Sequence, residues 1–218
     1  VFIYNSTFDK GECFVGTKER RETEIEAFRS KIFDAASRIL IDEGYEKLSI
    51  RKIAKIIDYS PGAIYHYFSS KAEILLMLYE ENEKKIAEKL IEIPIDESNP
   101  EDTYVNVIKT FINLTLEVPD HYTAVFLNPI EILQDKVGML REESISENFV
   151  RLYKVGIEAG KFDPYNFKTK IQLIWIYTNG LISRLVLEDD ISIERRNLLI
   201  ENHCSYIKDM LLLKNNEE

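Results

Sequence analysis

The side chains best suited to proton transfer, nucleophilic attack or metal binding are His66, His121, His203, Cys13 and Cys204, and they lie far apart in the chain. No HExxH, CxxC, DxD-like acid cluster, P-loop or Ser/His/Asp arrangement stands near any of them, so no catalytic centre, metal site or cofactor is expected. A different chemistry is concentrated between Ser49 and Lys71, in SIRKIAKIIDYSPGAIYHYFSSK. Arg51, Lys52, Lys55 and Lys71 supply positive charge, serine and tyrosine hydroxyls supply hydrogen bonds, and His66 supplies a ring that donates and accepts. These are the groups that hold phosphates and read base edges.

A net charge of −10 would repel an anionic partner if it were spread evenly. It is not. Between residues 18 and 75, 11 Lys and Arg stand against 10 Asp and Glu, whereas from 76 to 218 the count is 16 against 26. The acidity belongs to the C-terminal part. The 218 residues suffice for one large or two small domains, and a 45% hydrophobic content can fill a core. No apolar run reaches about 18 residues, and the opening VFIYNSTFDKGECFVG lacks the basic start and apolar centre of a signal peptide. No membrane partner and a cytoplasmic location are therefore expected, with Cys13 and Cys204 as reduced thiols.

Apolar residues at Ile25, Phe28, Ile32, Ala35, Ala36, Ile39 and Leu40 repeat with helical spacing and predict a helix over about 24–43, ended by Gly44. Ser49 is placed to cap a second helix over 50–57. Pro61 opens a third over 61–68, since its missing N–H would have no partner in a first turn. Ser69 or Ser70 caps a fourth over 71–91. Further helices are predicted at about 101–117, 120–127, 130–159, 166–187 and 192–213, with Pro119, Pro129, Gly160 and Pro164 at the joins. No stretch alternates with the period of a strand, so the class is all-α. The predicted organisation is an N-terminal tail (1–23), a helix-turn-helix DNA-binding domain (24–70), a connecting helix (71–93) and a larger helical effector-binding and dimerisation domain (94–218), with the break at Pro94 to Pro100.

Two short helices that cross over a shared core need apolar side chains at fixed places and a small residue where they touch. Ile53, Ala54, Ile57, Tyr59, Ile64 and Tyr67 fit this need, with Ala54 as the close contact. The turn requires a positive φ, and Asp58 holds that place. At about 100° per residue the third helix buries Ile64 and Phe68, points Gly62 and His66 away from the core and leaves Ala63 and Tyr65 on the flanks. A small residue and a hydrogen-bonding ring then face the major groove, with tyrosine hydroxyls within reach of phosphates. The bland alternatives are a solvated basic face and rings that serve only as core.

The segment IRKIAKIIDYSPGAIYHYFSSKAEIL resembles the DNA-binding signature of TetR-family transcriptional regulators, over roughly Ile25 to Leu78, and SPGAIYHYFSSK is its most specific part. The resemblance implies that Ser49 and Arg51 hold backbone phosphates or a base edge. It implies further that Ser60, Gly62, Ala63 and His66 lie over bases, with Tyr65, Tyr67 and Lys71 on phosphates. Asp58 and Tyr59 depart from the family, which more often has glycine and valine there. The family likeness also implies a homodimer on a palindromic operator of double-stranded DNA, and a repressor released by a small-molecule effector.

In that likeness the last two helices pair with their mates as a four-helix bundle. The stripes Ile171, Ile174, Trp175, Thr178, Leu181, Ile182, Leu185 and Leu198, Leu199, Ile207, Met210, Leu211 fit either such an interface or an intramolecular core. Aromatics mixed with lone polar groups, chiefly Phe111, Thr115, Phe126, Phe149, Tyr153, Trp175 and Asn179, form the candidate pocket for an apolar or aromatic effector, a filled core being the alternative. Two rival functions stand beside this reading. An enzyme with an all-helical pocket has no motif in its favour, and a helical interaction protein that has lost DNA binding is supported only by Asp58 and the acidic total.

Overall fold

The computed structural model describes residues 17–124, 145–188 and 190–212, and these fold as helices with one isolated bridge, Phe162 to Leu212, and no strand among them. The helix predicted over 120–127 and that over 130–159 are therefore described only in part, and Phe126 lies outside the described residues. Among the described residues no helix is long and apolar enough to cross a membrane.

The first helix, α1 (Thr17–Glu43), begins before its apolar repeat does. Residues 19–24 of its opening bury nothing, and pairs such as Arg20 Nε to Glu24 Oε1 at 3.2 Å, one turn apart, support it instead. Gly44 (φ 81°) ends α1 and leads into a 3-10 turn at Tyr45–Lys47 that the apolar pattern does not signal. The bounds of α2 (Ile50–Ile57) and α4 (Lys71–Ile91) are those predicted, and each is fixed by a serine cap. The Ser49 hydroxyl accepts from the Lys52 N–H at 3.3 Å, and that of Ser70 from the Glu73 N–H at 3.3 Å. Between them α3 is shorter than predicted, Pro61–Tyr65, and the chain turns at His66 and Tyr67. The Tyr67 and Phe68 N–H groups both donate to the Ile64 carbonyl at 2.9 Å, so the turn still seats Phe68 in the core.

Asp58 caps α2 at φ 59°, ψ 48°, the left-handed conformation, and the N–H groups of Asp58 and Tyr59 both reach the Ala54 carbonyl. A residue with a β-carbon is strained there by roughly 1 kcal/mol relative to glycine. Asp58→Gly is accordingly expected to raise the denaturant midpoint by an amount equivalent to about 1 kcal/mol. Equilibrium urea unfolding checks this, with no gain as the contrary result.

The C-terminal part consists of α5 (Pro100–Leu116), α6 (Pro119–Tyr122), α7 (Ile145–Glu158), α8 (Phe167–Leu187) and α9 (Ile193–Leu211). At its centre α5 packs against α4, α7, α8 and α9. Two hydrophobic cores result. One joins α1, α2, α3 and the first half of α4 around Ile32, Ile39, Ile53, Ile64, Ile74 and Leu75, and the other begins on α4 at Ile86 and Leu90 and continues through Tyr104, Ile108, Phe111, Tyr153 and Ile207. The intervening stretch of α4, residues 80–85, reads EENEKK. One continuous helix therefore serves both cores.

Candidate nucleic-acid interface

The first core dictates what α3 can present. Ile64 is fully buried and Phe68 nearly so, while Gly62 and His66 are exposed and Ala63 is half-buried, as the helical wheel requires. Tyr65, 56% exposed, lies wholly on the outer side. Of the two tyrosines that fit the motif's core pattern, Tyr59 is corrected by the structure, being 44% exposed, and Tyr67, also an expected phosphate contact, is 39% exposed. Phe28 of α1 fills the space beneath them, its ring centroid 4.8 Å from that of Tyr59 and 5.1 Å from that of Tyr67. The tyrosine rings rest on Phe28 by one side only. His66 in turn packs edge-on against Tyr67 at 5.2 Å, so the imidazole is steadied by a ring that is itself steadied from below.

Local hydrogen bonding sets the serines. Ser60 Oγ caps α3 by accepting from the Ala63 N–H at 3.2 Å, as Ser49 caps α2. Each hydroxyl is used as an acceptor, which leaves its O–H as a donor on the exposed side of the motif. Lys52, in the basic cluster of the sequence, is paired with Glu43 at the end of α1. Arg51 and Lys55 are exposed and carry no ion pair among the described residues.

Lys71 has a tertiary role that the sequence does not announce. Its ammonium donates to the Tyr45 carbonyl at 2.8 Å and stands 3.5 Å from the Tyr45 ring centroid, closing the 3-10 turn onto the start of α4. Burial holds it below the usual lysine value, with nearby Glu46 opposing that shift. Two of its three N–H donors remain. Tyr45 was not among the expected site residues, since its partner lies 26 residues away and no local spacing links them. Arg29, stacked 5.2 Å over the Phe68 ring, escaped sequence reading for the same reason.

The expected DNA contacts Ser49, Arg51, Ser60, Gly62, Ala63, Tyr65, His66, Tyr67 and Lys71 thus lie on or beside one helix-turn-helix, most of them exposed. Residues 32–78 match the family model described as bacterial regulatory proteins of the tetR family. The N-terminal part of the chain is that of a TetR-family regulator. Among curated relatives of TetR type, the HTH-type transcriptional repressor AcnR of Corynebacterium diphtheriae is 34% identical over 70 residues, 32% of this chain and 37% of that one. The match to AcnR therefore spans little more than a third of the relative's length. The fatty acid metabolism regulator protein of Bacillus subtilis is 28% identical over 165 residues, 73% of this chain and 84% of the relative. A solved TetR transcription regulator from Haloarcula marismortui shares the fold with a TM-score of 0.71 at 19% identity, over 86% of this chain and all of that one.

In the TetR-type C-terminal part, the expected effector residues fall into a connected aromatic cluster. Trp175 lies 5.3 Å from Phe111 and 6.4 Å from Phe149, ring centre to ring centre, and Tyr104 joins Phe149 to Tyr153. Thr115, buried, bonds back to the Phe111 carbonyl at 2.9 Å. The Tyr153 hydroxyl donates to the Asp163 carbonyl at 3.1 Å, and burial pushes its pKa up to about 12. Asn179 donates from Nδ2 to the Trp175 carbonyl at 3.0 Å, whereas its buried Oδ1 has no partner among the described residues.

The stripe Ile171, Ile174, Thr178, Ile182 and Leu185 is buried within the chain, so the core alternative holds for it. On α9 Ile207 and Leu211 are buried too. What α8 and α9 leave exposed includes Leu198 of the expected α9 stripe, with Tyr206 beside it on that helix and Leu173, Ile176 and Tyr177 on α8. Tyr177 and Tyr206 meet edge to face at 6.0 Å and tie the two helices into one apolar surface.

Proposed function

We propose that this chain is a transcription regulator that binds a palindromic operator in double-stranded DNA as a homodimer, acting in the cytoplasm as a repressor released by an apolar or aromatic small molecule. The observation that carries the reading is the division of α3 and the turn after it, with Ile64 and Phe68 in the core while Gly62, Tyr65, His66 and Tyr67 face outward. In a dimer two such helices sit about 34–36 Å apart, one turn of duplex. Gly62, Ala63, Ser60 and His66 approach base edges, and Ser49, Arg51, Tyr65, Tyr67 and Lys71 hold the phosphates.

Selection from random DNA tests this, followed by salt titration of the selected site. A palindrome is enriched, and log affinity falls with log salt at about −0.9 per neutralised phosphate. His66→Ala costs about 1–3 kcal/mol and relaxes preference at one position of each half-site. A flat salt profile or an unselective pool refutes the proposal.

The exposed surface of α8 and α9 supports the dimer, since Ile176, Tyr177 and Leu198 otherwise stand in water. For the effector, the support is the ring cluster of Phe111, Phe149 and Trp175, together with Asn179 one helical turn after Trp175, whose buried Oδ1 has no partner among the described residues. Trp175 is the one tryptophan in the chain. An effector seated there quenches or shifts its emission saturably and releases DNA over the same concentration range, and release without any change in Trp175 emission would place the effector elsewhere.

A further inference from the structure

Where the two cores meet, α1, α4 and the α5–α6 corner border a groove of about 450 Å³. Small-molecule sites have volumes of about 300–1,000 Å³ and combine an apolar bed with a few polar groups. Phe33, Ile86 and Leu114 provide the bed. The polar groups are unusual in lacking partners. His121 is only 7% exposed and lines the groove, yet neither Nδ1 nor Nε2 has a hydrogen bond among the described residues. Ser37 Oγ, on the α1 side, is also buried without a partner among them. Such groups carry an uncompensated desolvation cost that a bound molecule would relieve.

Charge selects the molecule. Lys85 on the rim holds its ammonium 4.5 Å from the Phe33 ring centre and has no carboxylate partner among the described residues. Of the carboxylates on the rim, Glu117 is within 4.0 Å of Lys89, and Glu88 and Glu92 lie further along α4. The Lys85 end is therefore the positive end. We propose that the groove is a second small-molecule site, separate from the aromatic cluster, which takes an organic carboxylate: the apolar body lies on Phe33, Ile86 and Leu114, and the anion meets Lys85, a His121 N–H and the Ser37 hydroxyl. Burial, helped by Lys85 and opposed by Asp120, keeps the His121 imidazole neutral near pH 7, so it has one N–H to give. A carboxylate accepts from all three donors, an alcohol forgoes the ion pair, and an amine meets the lysine as a like charge.

Three probes with one body separate these cases: 4-phenylbutyrate, 4-phenylbutanol and 4-phenylbutylamine, titrated into the 218-residue chain. The chain has three histidines, so imidazole resonances resolve the site. The expected result is a saturable shift of the His121 signals by the acid, binding about tenfold weaker for the alcohol and none for the amine, with His66 and His203 unmoved. Lys85→Gln, on an exposed side chain, lowers affinity for the acid to that for the alcohol. Ile41→Glu, at a groove position 55% exposed, abolishes both. The proposal is overturned if His121 stays still, if acid and amine bind alike, or if neither substitution changes the affinity. A change in Trp175 emission without movement of His121 places the acid in the aromatic cluster and overturns it equally.

Discussion

Gly62→Glu is expected to lower DNA affinity by about a hundredfold or more while leaving the protein as stable as before, because like charges brought together at an interface cost several kcal/mol. The two effects separate cleanly at this position. A β-carbon on Gly62 would meet only Ser60 Oγ, at 3.7 Å, an ordinary contact. Glutamate also forms helix better than glycine and is favoured in a first turn by the helix dipole, each worth up to about 1 kcal/mol. Thermal unfolding should therefore be unchanged or slightly raised. On the outer side of α3, by contrast, the carboxylate would be held against a phosphate-lined groove. Fluorescence anisotropy with a labelled operator, beside a melting curve, measures both, and undiminished binding would remove α3 from the DNA.

Ile176→Glu has the second large effect, on assembly. The side chain is 60% exposed in the single chain, beside Leu173, Tyr177 and Gly180, and a glutamate there stays in water, at a cost within about 0.5 kcal/mol. In a dimer that covers this surface, the same carboxylate is taken out of water without a partner, at a cost of several kcal/mol. Sedimentation at micromolar concentration should then report half the mass with an unaltered circular dichroism spectrum. Operator affinity should fall by at least about a hundredfold, because two half-sites are no longer bound by linked modules. A dimer that survives would assign the interface to some other surface.

The sequence makes the reading head legible because local signals determine it. Ser49, Ser60 and Ser70 each fix a helix start by a bond within three residues, and Asp58 takes the left-handed turn that its position requires. Tyr59 fits the core pattern yet lies half-exposed because Phe28, a residue of another helix, takes the place beneath it, and Tyr67, which fits both core and phosphate contact, rests on the same ring. The stripe of α8 fits a core and an interface alike in the sequence. That helix is apolar on both sides, with Ile171 and Ile174 on one and Leu173 and Ile176 on the other, and periodicity alone does not say which side faces the chain's own core. Lys71 on Tyr45 and His121 beside Ser37 are long-range meetings with no trace in local spacing.

The placing of one helix in both cores has a mechanical meaning. With 21 residues, α4 is a rod about 30 Å long. If the Ile86 to Leu90 end is the fulcrum, a swing of about 5° carries the Lys71 end through roughly 2–3 Å over that length. Two protomers swinging oppositely would alter the separation of their reading heads by about 5 Å, against a duplex repeat of about 34 Å. The duplex repeat then works as a vernier for a displacement at the far core smaller than the width of one atom.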